Sequence, residues 1–307
     1  MGTKRLVTAL IIGLMPVLLA GCAPAVGKPA QAGTPRAAAE PQVSYPVGVR
    51  TLDLRRGAAR PLPTTVWYPS AGPTGPTPRV DAEVAAGRFP IVLYSHGLDS
   101  LPDLHRAVTT RLAAAGFVVV APAYPYTKRG SRRFDRDDVR HQPADARHVI
   151  RQLSRLDRVP GDLFAGRLDT ANIAAAGHSA GGFTTAGLFT DGHAEQWRGG
   201  IVIAGGSRVA FGGTAAPMLF VHGSADPIVK AARGRAAYDR VPWPKAFLTL
   251  VGQDHGTYLT PGRPGFAQTM AAMTHFLRWI LQGDQTARQK IADAAHLTGV
   301  TDFENRL

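Results

Sequence analysis

Residues 176–182 read AGHSAGG and follow directly on the apolar run Ile173-Ala174-Ala175. The five residues at 177–181 match G-x-S-x-G, a pattern in which a serine lies on a sharp turn between a strand and a helix. Small neighbours suit this turn because backbone packs closely around the serine. With the helical run Phe183–Leu188 behind it, the stretch predicts a strand–turn–helix unit that presents the Ser179 hydroxyl. The alternative is a glycine-rich turn with no chemical role.

Short β-rich runs alternate with helical patterns from residue 46 onward, which is typical of a mostly parallel sheet with crossover helices. The predicted strands are Val47–Leu54, Pro63–Tyr68, Pro90–Ser95, Phe117–Pro122, Ile173–Gly177, Gly200–Ala204, Met218–Val221 and Ala246–Val251. The predicted helices cover 104–115, 143–156, 183–188, 266–282 and 285–297. We therefore expect an α/β domain at 46–283 with about eight strands flanked by helices. A C-terminal helical extension is expected at 284–307.

Two candidate partners for Ser179 follow later strands. Asp226 comes after the predicted strand at 218–221, and His255 comes after the one at 246–251. Open α/β sheets place their functional side chains at the carboxyl ends of strands, and the order Ser, acid, His is the one expected with this turn. Asp226 would hold the imidazole in one tautomer. His255 would take the proton of Ser179 and return it to a leaving group.

Four other side chains compete for these roles. Asp254 is adjacent to His255 but would point differently in the turn. His222 ends a predicted strand, which favours a core or supporting histidine, and His178 is expected to pack behind the serine. His275 lies within a helical run, where structural packing is the default.

A serine that attacks a carbonyl also needs two N–H donors for the developing oxyanion. One is expected from the residue after the serine, Ala180. The second should come from the loop after an earlier strand, and the run Ser95-His96-Gly97-Leu98 closes such a strand. We therefore choose the Leu98 N–H. Gly97 would let the backbone turn towards the site, and a loop glycine without that role is the alternative.

The beginning of the chain has a different character. Lys4 and Arg5 give the first residues a positive charge. An uncharged apolar segment follows at 6–20 and overlaps the sequence LAGC at 19–22. This layout is typical of a secretory signal peptide, and its last four residues resemble a bacterial lipobox, whose cysteine is acylated. We expect a signal peptide at 1–21, lipid attachment at Cys22 and a flexible tether at 22–45. A signal peptide with an unrelated cysteine, or an uncleaved anchor, is the alternative.

The composition restricts the partners. The chain of 307 residues has a formal charge of +13 and one cysteine, so an intramolecular disulfide cannot form. Nothing in it resembles a nucleic-acid-binding module. The excess of basic over acidic residues therefore favours attraction to an anionic envelope surface. Metal-binding patterns such as H-E-x-x-H are absent, and we expect neither a metal nor a cofactor. We expect an exported monomer in the bacterial cell envelope, held by Cys22 to the outer side of a membrane.

These motifs together resemble the α/β-hydrolases of the predicted dienelactone hydrolase and platelet-activating-factor acetylhydrolase group. The similarity spans about residues 46–282 and is carried by TTVWYPS at 64–70, FPIVLYSHGL at 89–98, AAAGFVVVAPAYP at 113–125, residues 143–182, HGSADPIV at 222–229 and GQDHGTYL at 252–259. The resemblance implies a nucleophile at Ser179, its partners at Asp226 and His255, and an oxyanion N–H at Leu98. Dienelactone hydrolases use a cysteine where this chain has Ser179. The serine turn is also similar to that of bacterial cutinases and polyester hydrolases.

The implied reaction transfers the acyl group of a small-molecule or lipid ester to water through an acyl-enzyme. The charged segment 124–141 (YPYTKRGSRRFDRDDVRH) is either a solvated loop with local ion pairs or a rim over the pocket. A charged segment is an unusual side for a pocket that holds a long acyl chain. The segment therefore favours short- to medium-chain esters. A lipase or phospholipid acyl-hydrolase, a polyester hydrolase, a peptidase and a non-catalytic binding lipoprotein are the alternatives. The complete set of Ser179, Asp226 and His255 argues against the last of these.

Overall fold

The computed structural model describes residues 45–307. Within this part of the chain ten strands form one sheet. The strands are β1 (Val47–Arg55), β2 (Pro61–Pro69), β3 (Arg79–Val80), β4 (Phe89–Ser95), β5 (Val118–Pro122), β6 (Leu168–His178), β7 (Trp197–Ile203), β8 (Met218–Gly223), β9 (Lys245–Leu250) and β10 (Thr301–Arg306). The α-helices are α1 (Arg106–Ala114), α2 (Gln142–Leu156), α3 (Ala180–Ala186), α4 (Ala231–Asp239), α5 (Phe266–Gln282) and α6 (Gln285–Ala295). The expected α/β class with a mostly parallel sheet is confirmed.

The order of the strands brings distant parts of the chain to one edge of the sheet. The sheet order is β10-β9-β8-β7-β6-β4-β5-β2-β1-β3. Strands β4 to β9 run parallel to one another, whereas β1, β2 and β10 form antiparallel pairs. The loops that follow β6, β8 and β9 therefore leave the sheet at the same edge. Ser179, Asp226 and His255 lie in these three loops.

The sheet is covered on both faces. In β5, Val118 and Val120 belong to one buried cluster, and Val119 and Ala121 belong to another. This is the alternation expected of successive residues in a strand. Residues of α2 complete the first cluster, and residues of α1 and α5 complete the second. Full burial of one large apolar side chain stabilises the fold by about 1.5–3 kcal/mol, so the strands are a firm support for the loops at their ends.

Two strands and one helix were not expected. The two-residue β3 is too short to leave a pattern, and β10 (TDFENR) pairs antiparallel with β9 at the edge of the sheet, where polar residues stay exposed. Helix α4 (AARGRAAYD) has no apolar stripe and buries only Gly234, Ala237 and Tyr238. The segment 284–307 was expected to be helical, but it forms α6 and then the strand β10.

The expected signal peptide at 1–21, the lipid attachment site Cys22 and the tether up to residue 44 lie outside the described residues. Within residues 45–307, no helix combines the length and the hydropathy that a membrane crossing needs.

Candidate active site

Ser179 lies at the tight turn between β6 and α3 in a strained backbone conformation. Its φ of 57° and ψ of −119° are unusual for a residue with a side chain. The turn is possible because the residues two positions before and after the serine have no Cβ. A Cβ on Gly181 would lie 1.9 Å from the Ser95 carbonyl oxygen, and one on Gly177 would lie 2.2 Å from the Gly181 oxygen. The glycines at 177 and 181 are thus required by close backbone approach.

Hydrogen bonds hold the serine backbone in place. The Ser179 N–H donates to the Ile203 carbonyl at 2.9 Å, which ties the turn to the end of β7. The Ser179 carbonyl accepts from the N–H groups of Gly182 at 2.9 Å and Phe183 at 3.2 Å, which begins α3. Both sides of the turn are therefore fixed, and the side chain has a defined direction towards the neighbouring cleft.

Asp226 and His255 form a close pair. His255 Nδ1 lies 2.7 Å from Asp226 Oδ2. Asp226 is buried, and its other oxygen accepts the N–H groups of Ile228 at 2.8 Å and Val229 at 2.9 Å. Burial raises the pKa of this carboxyl, but the hydrogen bonds from His255 and the two backbone groups outweigh it and leave the pKa below its ordinary value. Asp226 is therefore a carboxylate that orients the imidazole with the proton on Nδ1.

His222 is a second buried histidine beside this carboxylate. Its Nε2 lies 2.7 Å from the Val229 carbonyl oxygen and 3.2 Å from Asp226 Oδ2. A carbonyl oxygen can only accept, so the proton of the neutral ring is on Nε2. Burial lowers the pKa of His222, which keeps it neutral at pH 7. Its place behind Asp226 agrees with the supporting position expected from the sequence and holds the loop at 226–229.

His178 packs beneath His255. The ring centroids are 4.7 Å apart, and His178 Nε2 donates to the His255 carbonyl oxygen at 2.6 Å. Burial lowers the pKa of His178 to about 4, so the ring is neutral at pH 7 and its proton is committed to this bond. His178 therefore anchors the backbone of His255, and among the described residues it makes no hydrogen bond to the Ser179 hydroxyl.

Among the described residues, the Ser179 hydroxyl makes no hydrogen bond to His255. The structure thus joins Asp226 to His255 but does not close the last contact, between Ser179 Oγ and His255 Nε2. Catalytic hydrogen bonds of this kind often become short only in the substrate complex. The three side chains lie in the loops after β6, β8 and β9, at the same edge of the sheet.

The two expected oxyanion donors lie beside the serine. Leu98 and Ala180 line the same cleft as Ser179. Ala180 is the first residue of α3, and its N–H has no acceptor within the helix. Within residues 45–307, the Leu98 N–H also has no backbone acceptor. Gly97 brings this loop close, since a Cβ there would lie 3.2 Å from the Ser179 Cβ.

The remaining candidates lie elsewhere. Asp254 accepts from the N–H groups of Gly256 and Thr257 and does not contact the His255 ring, and these bonds lower its pKa to about 2. His275 lies in α5, away from the cleft, where burial lowers its pKa.

The cleft beside Ser179 has a volume of about 810 Å³. Its apolar wall consists of Leu98, Val139, Ala180, Phe183, Ile228, Val229 and Ala232. Its charged wall consists of Arg136, Asp137, Arg208, Lys230 and Arg233. The sequence analysis did not select Arg208, Lys230, Arg233 or Phe183. No local pattern marks them, because the fold collects them from separate segments.

The charged segment 124–141 is partly solvated and partly a wall of the cleft. Asp138 is buried and pairs with Arg60 at 2.7 Å. Gln142, at the start of α2, donates to Thr127 Oγ1 at 2.7 Å. These buried contacts hold the segment down at several points. Arg136, Asp137 and Val139 are thereby placed at the cleft, while most of the other charges remain exposed.

Comparisons with known proteins agree with this fold. Residues 78–127 match the family model of platelet-activating factor acetylhydrolase, isoform II. The matched part includes the Leu98 loop but ends before Ser179. A solved ferulic acid esterase from Streptomyces cinnamoneus is 21% identical, with a TM-score of 0.63 over 81% of this chain and 94% of that chain. A comparison with curated proteins found no match. The chain therefore has the α/β-hydrolase fold, and its residues 78–127 are similar to the platelet-activating factor acetylhydrolases.

Proposed function

We propose that this protein is a serine hydrolase of carboxylic esters. The observation that carries the proposal is a strained serine lining a cleft, at the same edge of the sheet as a histidine that is joined at 2.7 Å to the buried carboxylate of Asp226. The match to an acetylhydrolase family and the likeness to a ferulic acid esterase support ester hydrolysis. Perturbed carboxylates paired with histidines in a cleft are typical of active sites.

In the proposed mechanism His255 Nε2 removes the proton of Ser179 while Oγ attacks the ester carbonyl. Asp226 keeps the other ring proton on Nδ1, so that Nε2 is the free acceptor. The carboxylate also stabilises the imidazolium that forms. His255 then gives its proton to the departing alcohol, and an acyl-enzyme remains on Ser179.

Water completes the cycle. His255 takes a proton from water, the hydroxide attacks the acyl carbonyl, and the proton returns to Ser179 as the acid leaves. In both halves the negative oxygen lies between the N–H groups of Leu98 and Ala180. Preorganised donors of this kind lower the barrier by about 3–4 kcal/mol each, because they need no rearrangement as the charge develops.

We further propose a preference for short- to medium-chain acyl groups. The charged wall at Arg136 and Asp137 gives a long hydrocarbon chain little apolar surface. The name of the matched family specifies an acetyl group, and the structural neighbour is named for ferulic acid. A lipase or polyester hydrolase on the same site would show the opposite dependence on chain length.

The test uses p-nitrophenyl esters from acetate to palmitate, with Ser179→Ala measured in parallel. The variant should lose several orders of magnitude in kcat, as loss of a triad member does. It should also lose labelling by a fluorophosphonate, which reacts with an activated serine. Turnover by the wild-type protein that survives in Ser179→Ala would contradict the proposal. A maximum at palmitate would keep the serine hydrolase and replace the short-chain preference with a lipase.

We also propose that the protein is exported and held to a membrane by a lipid on Cys22. The support is the LAGC sequence at 19–22 behind a short apolar segment. This sequence lies outside the described residues, and the substitution Cys22→Ser tests the proposal.

A further inference from the structure

The cleft beside Ser179 carries an excess of positive charge. Arg136, Arg208, Lys230 and Arg233 line it, against the single carboxylate of Asp137. We propose that the ester hydrolysed at Ser179 carries an anionic group, a carboxylate or a phosphate, which these cations bind. This inference rests on the proposed ester hydrolase function and adds the class of substrate to it.

Within the described residues, most of these cations lack an acidic partner. Within residues 45–307, no carboxylate lies within 4.0 Å of Arg136, Lys230 or Arg233. Arg208 Nη1 lies 4.0 Å from Asp137 Oδ1, at the limit of an ion pair, and both side chains are more than half exposed. The carboxylate of Asp137 therefore offsets only part of the positive charge.

Elsewhere in the described residues, several arginines that connect separate segments are paired closely with acids. Arg50 lies 3.0 Å from Asp162, and Arg88 lies 2.8 Å from Asp157. Arg60 bridges Asp138 and Asp145 through buried contacts. These arginines tie separate segments of the fold together. Exposed arginines such as Arg158 also have no carboxylate within 4.0 Å among the described residues, and the cleft differs from them because it collects four cations from three segments around one cavity.

The positions of two arginines are well defined. The guanidinium carbons of Arg208 and Arg233 lie 5.9 and 5.6 Å from the ring centroid of Phe183, which also lines the cleft. An aromatic ring attracts and orients cations at this distance. Lys230 and Arg233 lie at the beginning of α4, whose first turn has no acidic residue. The positive end of this helix is therefore not neutralised locally and adds to the field of the side chains.

A cleft lined by one sign of charge focuses the potential and raises the local concentration of an oppositely charged ligand. Arginine binds carboxylate and phosphate through parallel N–H···O bonds. An ester with such a group can occupy the apolar wall with its carbon chain and the charged wall with its anion. A neutral ester of the same size contacts only the apolar wall. The difference in kcat/KM between the anionic and the neutral ester therefore tests the proposal.

Two matched pairs of esters provide the test. Mono-p-nitrophenyl glutarate and p-nitrophenyl pentanoate differ by a carboxylate in place of a methyl group. 1-Butyrylglycerol 3-phosphate and 1-butyrylglycerol differ by a phosphate. For each pair, the kcat/KM of the anionic ester divided by that of the neutral ester should be about ten in the wild-type protein. A hydrogen bond to a charged group contributes enough free energy for a ratio of this size. The ratio should decline with added KCl because salt screens exposed charges.

Variants identify the source of the preference. The double variant Arg208→Gln/Arg233→Gln should bring the ratio close to one, and Arg208→Lys/Arg233→Lys should keep most of it. Asp137→Asn should raise the ratio, which loss of packing would not do. Arg158→Gln is the matched control, since Arg158 is exposed and does not line the cleft. It should leave the ratio unchanged.

The outcomes separate this inference from the function on which it rests. Turnover of the neutral esters that depends on Ser179, with a ratio at or below one in both pairs, overturns the anionic substrate and keeps the esterase. A ratio that the double glutamine variant does not change also overturns it. A preference in one pair only identifies the anion as carboxylate or as phosphate. No turnover of any of the esters removes the proposed function and this inference together.

Discussion

Asp226→Asn is the substitution whose effect the structure defines most closely. Asp226 Oδ1 accepts two backbone N–H groups, from Ile228 and Val229, while Oδ2 faces His255 Nδ1 at 2.7 Å. An asparagine must keep its carbonyl oxygen towards the backbone donors. Its NH₂ group then takes the place of Oδ2 and points at His255.

An NH₂ group needs an acceptor, so it stabilises the His255 tautomer with a bare Nδ1 and a proton on Nε2. That tautomer cannot take the proton of Ser179. In a serine protease triad the same change lowers kcat by about 10⁴-fold, which corresponds to roughly 5 kcal/mol in the activation barrier. We expect a loss of this size. The free energy of unfolding should fall by only about 1–3 kcal/mol, because the two backbone hydrogen bonds remain.

The measurements are kcat/KM with p-nitrophenyl butyrate and chemical denaturation of the same samples. Asp254→Asn is the matched control, because Asp254 is adjacent to His255 but only caps the loop through Gly256 and Thr257. Its amide oxygen can keep those bonds, and kcat should change by less than about tenfold. A folded Asp226→Asn protein with activity within about tenfold of wild type would refute the assignment of the acid. So would an equal loss in both variants.

Three further predictions concern the turn, the buried histidines and the anchor. Gly181→Ala forces a Cβ to 1.9 Å from the Ser95 carbonyl and should lower the free energy of unfolding by about 3 kcal/mol. Gly75→Ala, which meets nothing within 4 Å, should be neutral, and equal effects would contradict the packing argument. Burial lowers the pKa of His96 to about 4 and of His178 to about 4, from an ordinary 6.5. As the pH falls below 6.5, these histidines therefore bind protons in the unfolded chain before they do so in the folded protein. The unfolding free energy should then drop by up to about 1.4 kcal/mol per pH unit for each histidine, and a value constant from pH 7 to pH 5 in chemical denaturation would refute this. Cys22→Ser should abolish incorporation of labelled fatty acid and release the protein from membranes, and unchanged partitioning and labelling would remove the proposed anchor.

The sequence predicted the parts of the fold that leave a local signal. Continuous apolar runs such as those of β4 and β5 are buried on both faces, and they were recognised because a buried parallel strand needs such a run. Strand β10 escaped prediction because it lies at the edge of the sheet and pairs through its backbone, which requires no apolar pattern. Helix α4 escaped because it packs through small residues. A Cβ on Gly234 would lie 2.4 Å from His222 Nδ1.

The candidate site likewise has features that the sequence predicts and features that it does not. The places of Ser179, Asp226 and His255 at strand ends could be predicted, because the order of strands and loops along the chain determines them. The supporting contacts of His178 and His222 could not, since they depend on which backbone carbonyls the fold brings to each ring. The sequence indicated that His178 and His222 were secondary. It did not indicate that His178 holds the His255 carbonyl or that His222 lies against Asp226.

The structure separates the groups proposed to do the chemistry from those proposed to choose the substrate. Asp226 and its supporting histidines are held by buried hydrogen bonds at the ends of central strands, where we expect a change of residue to lower both stability and activity. The cations of the cleft are exposed and belong to the charged segment, the loop after β7 and the beginning of α4. Substitution of an exposed side chain usually changes stability by less than about 0.5 kcal/mol. Because these cations can vary without disturbing the serine turn, the charge of the preferred ester can change while the mechanism stays the same. If the proposed function holds, the ratio of anionic to neutral turnover is therefore the quantity that distinguishes this protein from serine hydrolases with the same arrangement of side chains.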